Sequence, residues 1–319
     1  MSEPLFLNGV FKEKIWGGQQ LHDLFGYDIP SDRTGELWAI SAHSNGQSVV
    51  ANGTYKGKTL GDLWDNHKEL FGHPTEAVFP LLIKIIDAQH DLSVQVHPDD
   101  TYALEHEGEL GKTECWYIID AKKDAEIIYG HHANSQKELE DAIEQGDWDN
   151  LLKRVKVRPG DFFYVPSGTI HAIGSGVMIL ETQQSSDTTY RVYDYDRLQD
   201  NGEPRDLHLE QSIAVTTIPH VEPSLSMDKT KNNHLERTHL VSNDFFSVEE
   251  WRVTGKADFT PDAPYSLVSV LDGEGNLTID AQSYSCRKGD HFILPATVRE
   301  WTLDGNLHII ASTPGQKSE

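Results

Sequence analysis

Three short stretches carry side chains that bind metals. In Leu92-Ser-Val-Gln-Val-His97, the apolar Leu92, Val94 and Val96 alternate with Ser93, Gln95 and His97. On a strand these triplets face opposite sides, so one face is apolar and the other presents a hydroxyl, an amide and an imidazole. Gln95 and His97, two residues apart, can aim their donor atoms at one point. In Gly160–His171 (GDFFYVPSGTIH) the spacing is G-x5-P-x-G-x2-H. A strand ends at Pro166, a turn forms at Gly168 and the returning strand starts with His171. Between these stretches, Gly111-Lys-Thr-Glu-Cys-Trp-Tyr117 places Glu114 at the start of another strand. A carboxylate rarely faces inward there unless it is paired or coordinating. Two histidines, a glutamate and a glutamine form an N/O ligand set suited to zinc, with room for water or substrate, and open also to Mn, Co or Fe. Alternation turns Cys115 away from that set.

These residues need a β-scaffold, and most of the sequence reads as short strands broken by Gly, Pro, Asn and Asp. Gln47–Ala51, Pro80–Asp87, Leu92–His97, Cys115–Asp120, Glu126–Tyr129, Asp161–Val165 and Val177–Thr182 are the clearest. Many short strands with regular turn signals predict a mostly β sandwich or barrel with a few short helices. Leu60, Leu63, Trp64, Leu70 and Phe71 share a helical face. Ser135-Gln-Lys-Glu138 is a capping-box pattern. Asp147 and Asp206 are expected to cap helices at Trp148–Leu152 and Leu207–Val215. The stretch Thr217–Asn233 is rich in Pro, Ser and charge and reads as a linker. Strands resume at Leu235 and run to Ser312. Arg158–Pro166 and Arg287–Pro295 both read R-x-G-D-x-F-φ-φ-P, where φ is apolar, which suggests two related β-domains. Residues 1–220 are expected to form the first and 221–319 the second.

Composition narrows the function classes. The 319 residues carry a net charge of −24, which excludes a general nucleic-acid binder and argues against docking on an anionic membrane. No stretch approaches the ~20 apolar residues that span a bilayer, and the N-terminus lacks the layout of a secretory signal. Cys115 and Cys286 are too few for a disulfide framework and read as reduced thiols of a cytoplasmic protein. The acidic runs Glu138–Asp149 and Asp194–Asp200 read as solvated faces, and His131, His132 and His208 as surface residues. No pattern encodes an oligomeric state.

The G-x5-P-x-G-x2-H string is the second motif of the cupins. The whole set of Gln95-x-His97, Lys112-x-Glu114, His171, Glu181 and Arg191 resembles the type I mannose-6-phosphate isomerases in their short bacterial form. Glu36-Leu-Trp38, LLIKIIDA around Lys84, LSVQVHPDD, GKTECWYIID and ETQQSSDTTYR carry the same resemblance, strongly from Pro4 to Leu209 and weakly beyond. Two departures from a plain cupin stand out. In the first cupin motif Gln95 replaces the first His and Glu114 lies well downstream of His97, as in the isomerases; in the second, the Asn after His171 is missing, with Ser175 at that place. In the second repeat Glu300 stands where His171 would align, so that half is expected to be a degenerate jelly roll that packs rather than reacts.

The resemblance implies a double cupin, one zinc ion held by Gln95, His97, Glu114 and His171, a sugar-phosphate substrate, and aldose–ketose isomerisation through a cis-enediol. It also implies an active-site role for Arg191. A guanidinium is a poor base, so Arg191 is assigned to charge stabilisation or anion holding. Glu181, Lys112 and Lys84, which interrupts an apolar strand, are the candidate proton movers. With a protein of charge −24 and a dianionic substrate, binding must rest on local cations: Lys84, Lys112, Arg191 and the metal. Two other readings remain open at this point. One is a bicupin Fe or Mn oxygenase or epimerase. The other is a non-catalytic sugar-phosphate-binding cupin.

Overall fold

The computed structural model describes residues 2–315, and among these most regular structure is antiparallel sheet, joined by six short α-helices. A six-stranded sheet runs in the order Phe162–Val165, Glu114–Ala121, Val177–Gln184, Leu81–Ala88, Thr34–Ile40, Val10–Gly18. A five-stranded sheet runs Tyr190–Tyr193, Val94–Val96, His171–Ile173, Glu126–His131, Leu152–Lys156. The C-terminal third builds most of a nine-stranded sheet around the long strands Phe246–Phe259, Ser266–Ile279 and Trp301–Pro314. Leu5–Asn8 joins that sheet by pairing with His291–Leu294.

The strands LLIKIIDA and VMILETQQ are buried along their whole length. Both sit mid-sheet with each face covered, which is why Leu81–Ile83 and Val177–Leu180 are apolar without alternation. On one face Leu81, Ile83, Ile85, Met178 and Leu180 join a core that includes Trp64, Phe71, Phe79 and Tyr265 and reaches Leu267 and Ile310 of the large sheet. On the other face Ile86, Val177 and Ile179 meet Trp116, Ile127 and Ile173 between the two smaller sheets. Burying side chains of this size stabilises by about 1.5–3 kcal/mol each.

The repeated R-x-G-D string folds the same way twice. Gly160 and Gly289 have φ of 92° and 90°, a region that favours glycine. The Asp161 and Asp290 carboxylates accept from the backbone N–H of Arg158 and Arg287 at 3.0 and 2.8 Å. Each turn then launches a short strand, Phe162–Val165 or His291–Leu294. In the second copy Glu300 is exposed, and among the described residues the only cluster of three metal-ligating side chains lies in the first half.

Several local expectations are corrected. Ser135 Oγ accepts from Glu138 N at 3.2 Å and caps Gln136–Gln145 as predicted, but Asp147 caps nothing and instead accepts from Asn150 Nδ2 at 2.8 Å. The helix near Asp206 spans Leu209–Val215 and follows His208 without a side-chain cap. Two helices went unpredicted, Gln20–Phe25 and Asp100–His106, the latter capped by Asp99. Lys229–Asn232, within the expected linker, is an exposed strand. No helix among the described residues is long and apolar enough to cross a membrane.

Candidate active site and metal centre

Three predicted ligands converge. The strand Val94–Val96 brings His97 to its end, while the paired strand His171–Ile173 sets His171 opposite Gln95. Glu114 opens the strand of the facing sheet, opposite Gln183. Glu114 Oε1 lies 3.3 Å from His171 Nε2, and Oε2 lies 3.5 Å from His97 Nε2. The ligand atoms of the three residues all fall within 4.8 Å of one another. Each residue is about 1% exposed.

These polar atoms are buried without hydrogen-bond partners: both Glu114 oxygens, both ring nitrogens of His97 and His171 Nε2. Such orphaned groups are costly unless something else satisfies them. The His171 Nδ1–H donates to Thr169 O at 2.8 Å, which directs the Nε2 lone pair toward Glu114. Burial holds the His171 imidazole down at about 3 and pulls His97 down as well, so both are neutral and ligand-competent. Burial, then the nearby Glu181 carboxylate, pushes Glu114 up to about 8. A cation among these atoms would reverse that push. Gln95 lines the adjoining cavity on the same sheet face.

That cavity, about 260 Å³, lies between the two smaller sheets. One wall carries Glu36, Lys84, Lys112, Glu114 and Glu181, and the other carries Ser93, Gln95, Ile173 and Arg191. The register explains the first wall: Trp38, Lys84, Glu181 and Trp116 stand abreast on four neighbouring strands. Lys84 Nζ lies 3.3 Å from Glu181 Oε1, and Trp116 Nε1 donates to Glu181 Oε2 at 3.0 Å. Burial lowers the Lys84 pKa, but Glu181 and Glu36 outweigh it and hold the ammonium above its usual range. Lys84 is 3% exposed on an inner strand, and so is not a lysine reaching for solvent at a sheet edge. Lys112 has no carboxylate oxygen within 4 Å among the described residues; burial and then Lys84 pull its pKa down.

On the second wall, Arg191 stands abreast of Gln95. Its NH1 donates to Asp206 O at 2.7 Å, and its Nε to Ser93 Oγ at 3.3 Å. His208, expected at the surface without a partner, accepts from Arg191 N at 3.1 Å. Asp194, expected on a solvated acidic face, is instead buried between two arginines. It accepts from Arg197 NH2 at 2.6 Å and from Arg205 Nε at 2.8 Å. Arg205 thereby joins Arg191, Lys14, Asp187 and Thr189 around the cavity. His131 is also buried rather than on the surface.

The sequence motifs contain Glu36, and Asp187 and Thr189 within ETQQSSDTTYR, without assigning them a role, and they do not point to Arg205. Glu36 had a signal: it is a charge inside Thr34–Ile40, which is buried throughout. The others sit in loops whose spacing carries none. Leu92 was placed on the apolar face but lines the cavity, because the regular strand begins at Val94.

Comparison with known proteins bears on this arrangement. Residues 5–119 match the family described as phosphomannose isomerase type I, catalytic domain, and residues 236–314 match the mannose-6-phosphate isomerase cupin domain. A mannose-6-phosphate isomerase from Streptococcus mutans serotype c is 60% identical over 316 residues, 98% of each chain. The chain belongs to the type I phosphomannose isomerase family. The isomerase ManA of Bacillus subtilis is 55% identical over 312 residues, covering 98% of this chain and 99% of that one. The crystal structure of the mannose 6-phosphate isomerase from Bacillus subtilis superposes with a TM-score of 0.95 at 52% identity, covering 97% and 99% of the two chains. A phosphomannose isomerase variant from Salmonella typhimurium, at 16% identity and a TM-score of 0.78, shares the fold.

Proposed function

We propose that this type I family member is a metal-dependent aldose–ketose isomerase. It interconverts mannose 6-phosphate and fructose 6-phosphate through a cis-enediol. The observation that carries the metal reading is the set of five buried, unpartnered atoms on His97, Glu114 and His171. These residues, with Gln95, fit a divalent cation, and zinc suits the N/O donor set. The bound ion would polarise the sugar carbonyl and offset oxyanion charge.

The chain's own residues supply the rest. Isomerisation moves a proton between C1 and C2, so a group beside the carbons must take it up and return it. Lys112, free of carboxylate partners and lining the cavity, is assigned that role. Glu181 is held on both oxygens, by Lys84 and by the Trp116 N–H, and so presents a fixed negative group next to a fixed ammonium. Arg191 and Arg205 hold the anionic end of the substrate by local attraction in a protein whose overall charge is −24. Residues 1–220 form the catalytic unit and 221–319 a packing unit without a metal. The free, buried Cys115 and Cys286 suit a cytoplasmic setting.

The test is a coupled assay on mannose 6-phosphate before and after metal stripping, with re-addition of Zn2+. Activity that falls with the metal and returns with it supports the reading. A protein that binds the sugar phosphate without turnover would favour a binding module. Oxygen uptake with bound iron would favour an oxygenase.

A further inference from the structure

The turn that carries His171 touches every ligand-bearing segment. Ser167 N donates to Thr113 Oγ1 at 3.3 Å, beside Glu114. Gly168 N donates to the carbonyl of His97 at 2.8 Å. Gly168 O in turn accepts from Thr217 N at 2.9 Å. Thr217 belongs to the segment that leaves the Leu209–Val215 helix and leads to the first strand of the C-terminal sheet, Lys229–Asn232. Its carbonyl accepts from His131 Nε2 at 3.0 Å. His131 ends the strand paired with His171–Ile173, and its neighbour Gly130 donates to Ile170 O at 2.7 Å. The hydrogen bonds thus close a ring from His97 through Gly168, Thr217 and His131 back to Ile170 and His171.

Two glycines make the ring possible. A Cβ on Gly168 would overlap Thr217 Oγ1, and one on Gly130 would overlap the His220 ring. Both glycines also hold positive φ, 83° and 93°. The connecting segment therefore lies directly on bare backbone at both points. Glu222 pairs with Lys153 just beyond.

We propose that Thr217–His220, anchored by the buried His131, is a positioning strap that sets the register of the turn bearing His171 against His97. Neither His131 nor the strap touches the cation position. The strap holds the Gly168 carbonyl, and the Gly168 amide in turn holds the carbonyl of His97. This inference rests on the metal reading above for its functional consequence. Its structural content, the immobilisation of the turn, stands apart from that reading.

The test compares full-length His131→Leu, which removes the bond to Thr217 O, with His131→Gln, which retains a donor of similar reach. Partners that orient metal ligands contribute about 10–100-fold in affinity. His131 acts one bond further out, so His131→Leu is expected to weaken Zn2+ binding by about tenfold in competition with a chromogenic chelator. Exchange of the Gly168 amide in metal-free protein should accelerate, and His131→Gln should restore both. If His131→Leu lowers only the melting temperature, with Zn2+ affinity and Gly168 exchange at parental values, the strap is merely structural and the proposal is overturned. If the parent binds no divalent ion, the metal reading fails, and the Gly168 exchange of the two variants alone decides the strap. Should His131→Leu not fold, His220→Ala, at a half-buried site, gives the same readouts with the same expected direction.

Discussion

Replacing Lys84 by Met tests the electrostatics of the cavity wall. Lys84 and Glu181 are 3% and 4% exposed, and their charged atoms stand 3.3 Å apart. At an effective dielectric of about 20 the gross attraction is about 5 kcal/mol. Much of this offsets the desolvation of the two groups, so the net worth of the pair is smaller. Removing Lys84 leaves Glu181 as a buried carboxylate without its cation, whereas Glu36 keeps Lys14 at 3.3 Å. Breaking a buried pair in this way destabilises by about 3–5 kcal/mol. Glu181→Gln alone strands the ammonium and is expected to cost a similar amount. The double variant removes both charges and should cost less than the sum of the singles, with a coupling energy of about 2–3 kcal/mol. Urea unfolding followed by tryptophan fluorescence measures all four proteins. Strict additivity would refute the reasoning, because it would mean that the two groups do not rely on each other.

Glu36 gives a pH test. Burial raises its pKa, but Lys14, Lys84 and the Trp38 N–H outweigh this and bring it from 4.5 to about 2. A folded-state pKa below the unfolded one contributes stability above pH 4.5 that is lost as pH falls toward 2. The contribution, about 3 kcal/mol at neutral pH, should vanish in Glu36→Gln and flatten that part of the acid-unfolding curve. Arg191→Ala should abolish turnover while Zn2+ content by elemental analysis stays intact; equal loss of both would make Arg191 structural. Trp116→Phe removes the donor to Glu181 Oε2 and should cut kcat by about tenfold or more with the fold retained by circular dichroism. Gly160→Ala faces open space apart from the Tyr117 hydroxyl at 3.9 Å. Its cost is therefore the backbone penalty at φ 92° alone, about 1–2 kcal/mol in unfolding experiments, with activity unchanged.

What could be read in advance follows from locality. Gln95 and His97 were legible because strand alternation fixes which side chains share a face, and this needs no knowledge of the neighbouring strand. His171 was legible because Gly168 and Pro166 mark a tight turn whose exit is determined by backbone geometry. Glu114 stood out as a charge opening an otherwise apolar strand. Asp194 looked like part of a solvated run because its partner Arg205 lies eleven residues on, across a loop. His131 looked superficial because the segment that covers it, around Thr217, is distant in sequence. Asp147 and Asp206 have the composition of caps, but capping also requires the right backbone dihedrals, and at Asp147 φ and ψ are −82° and 55°, outside the extended region that caps use.

The most direct measurement is anomalous diffraction from crystals of the protein loaded with Zn2+. The account predicts one strong peak within about 2.0–2.2 Å of donor atoms on Gln95, His97, Glu114 and His171. A peak elsewhere, or none at that cluster in a protein that still isomerises the sugar phosphate, would contradict it.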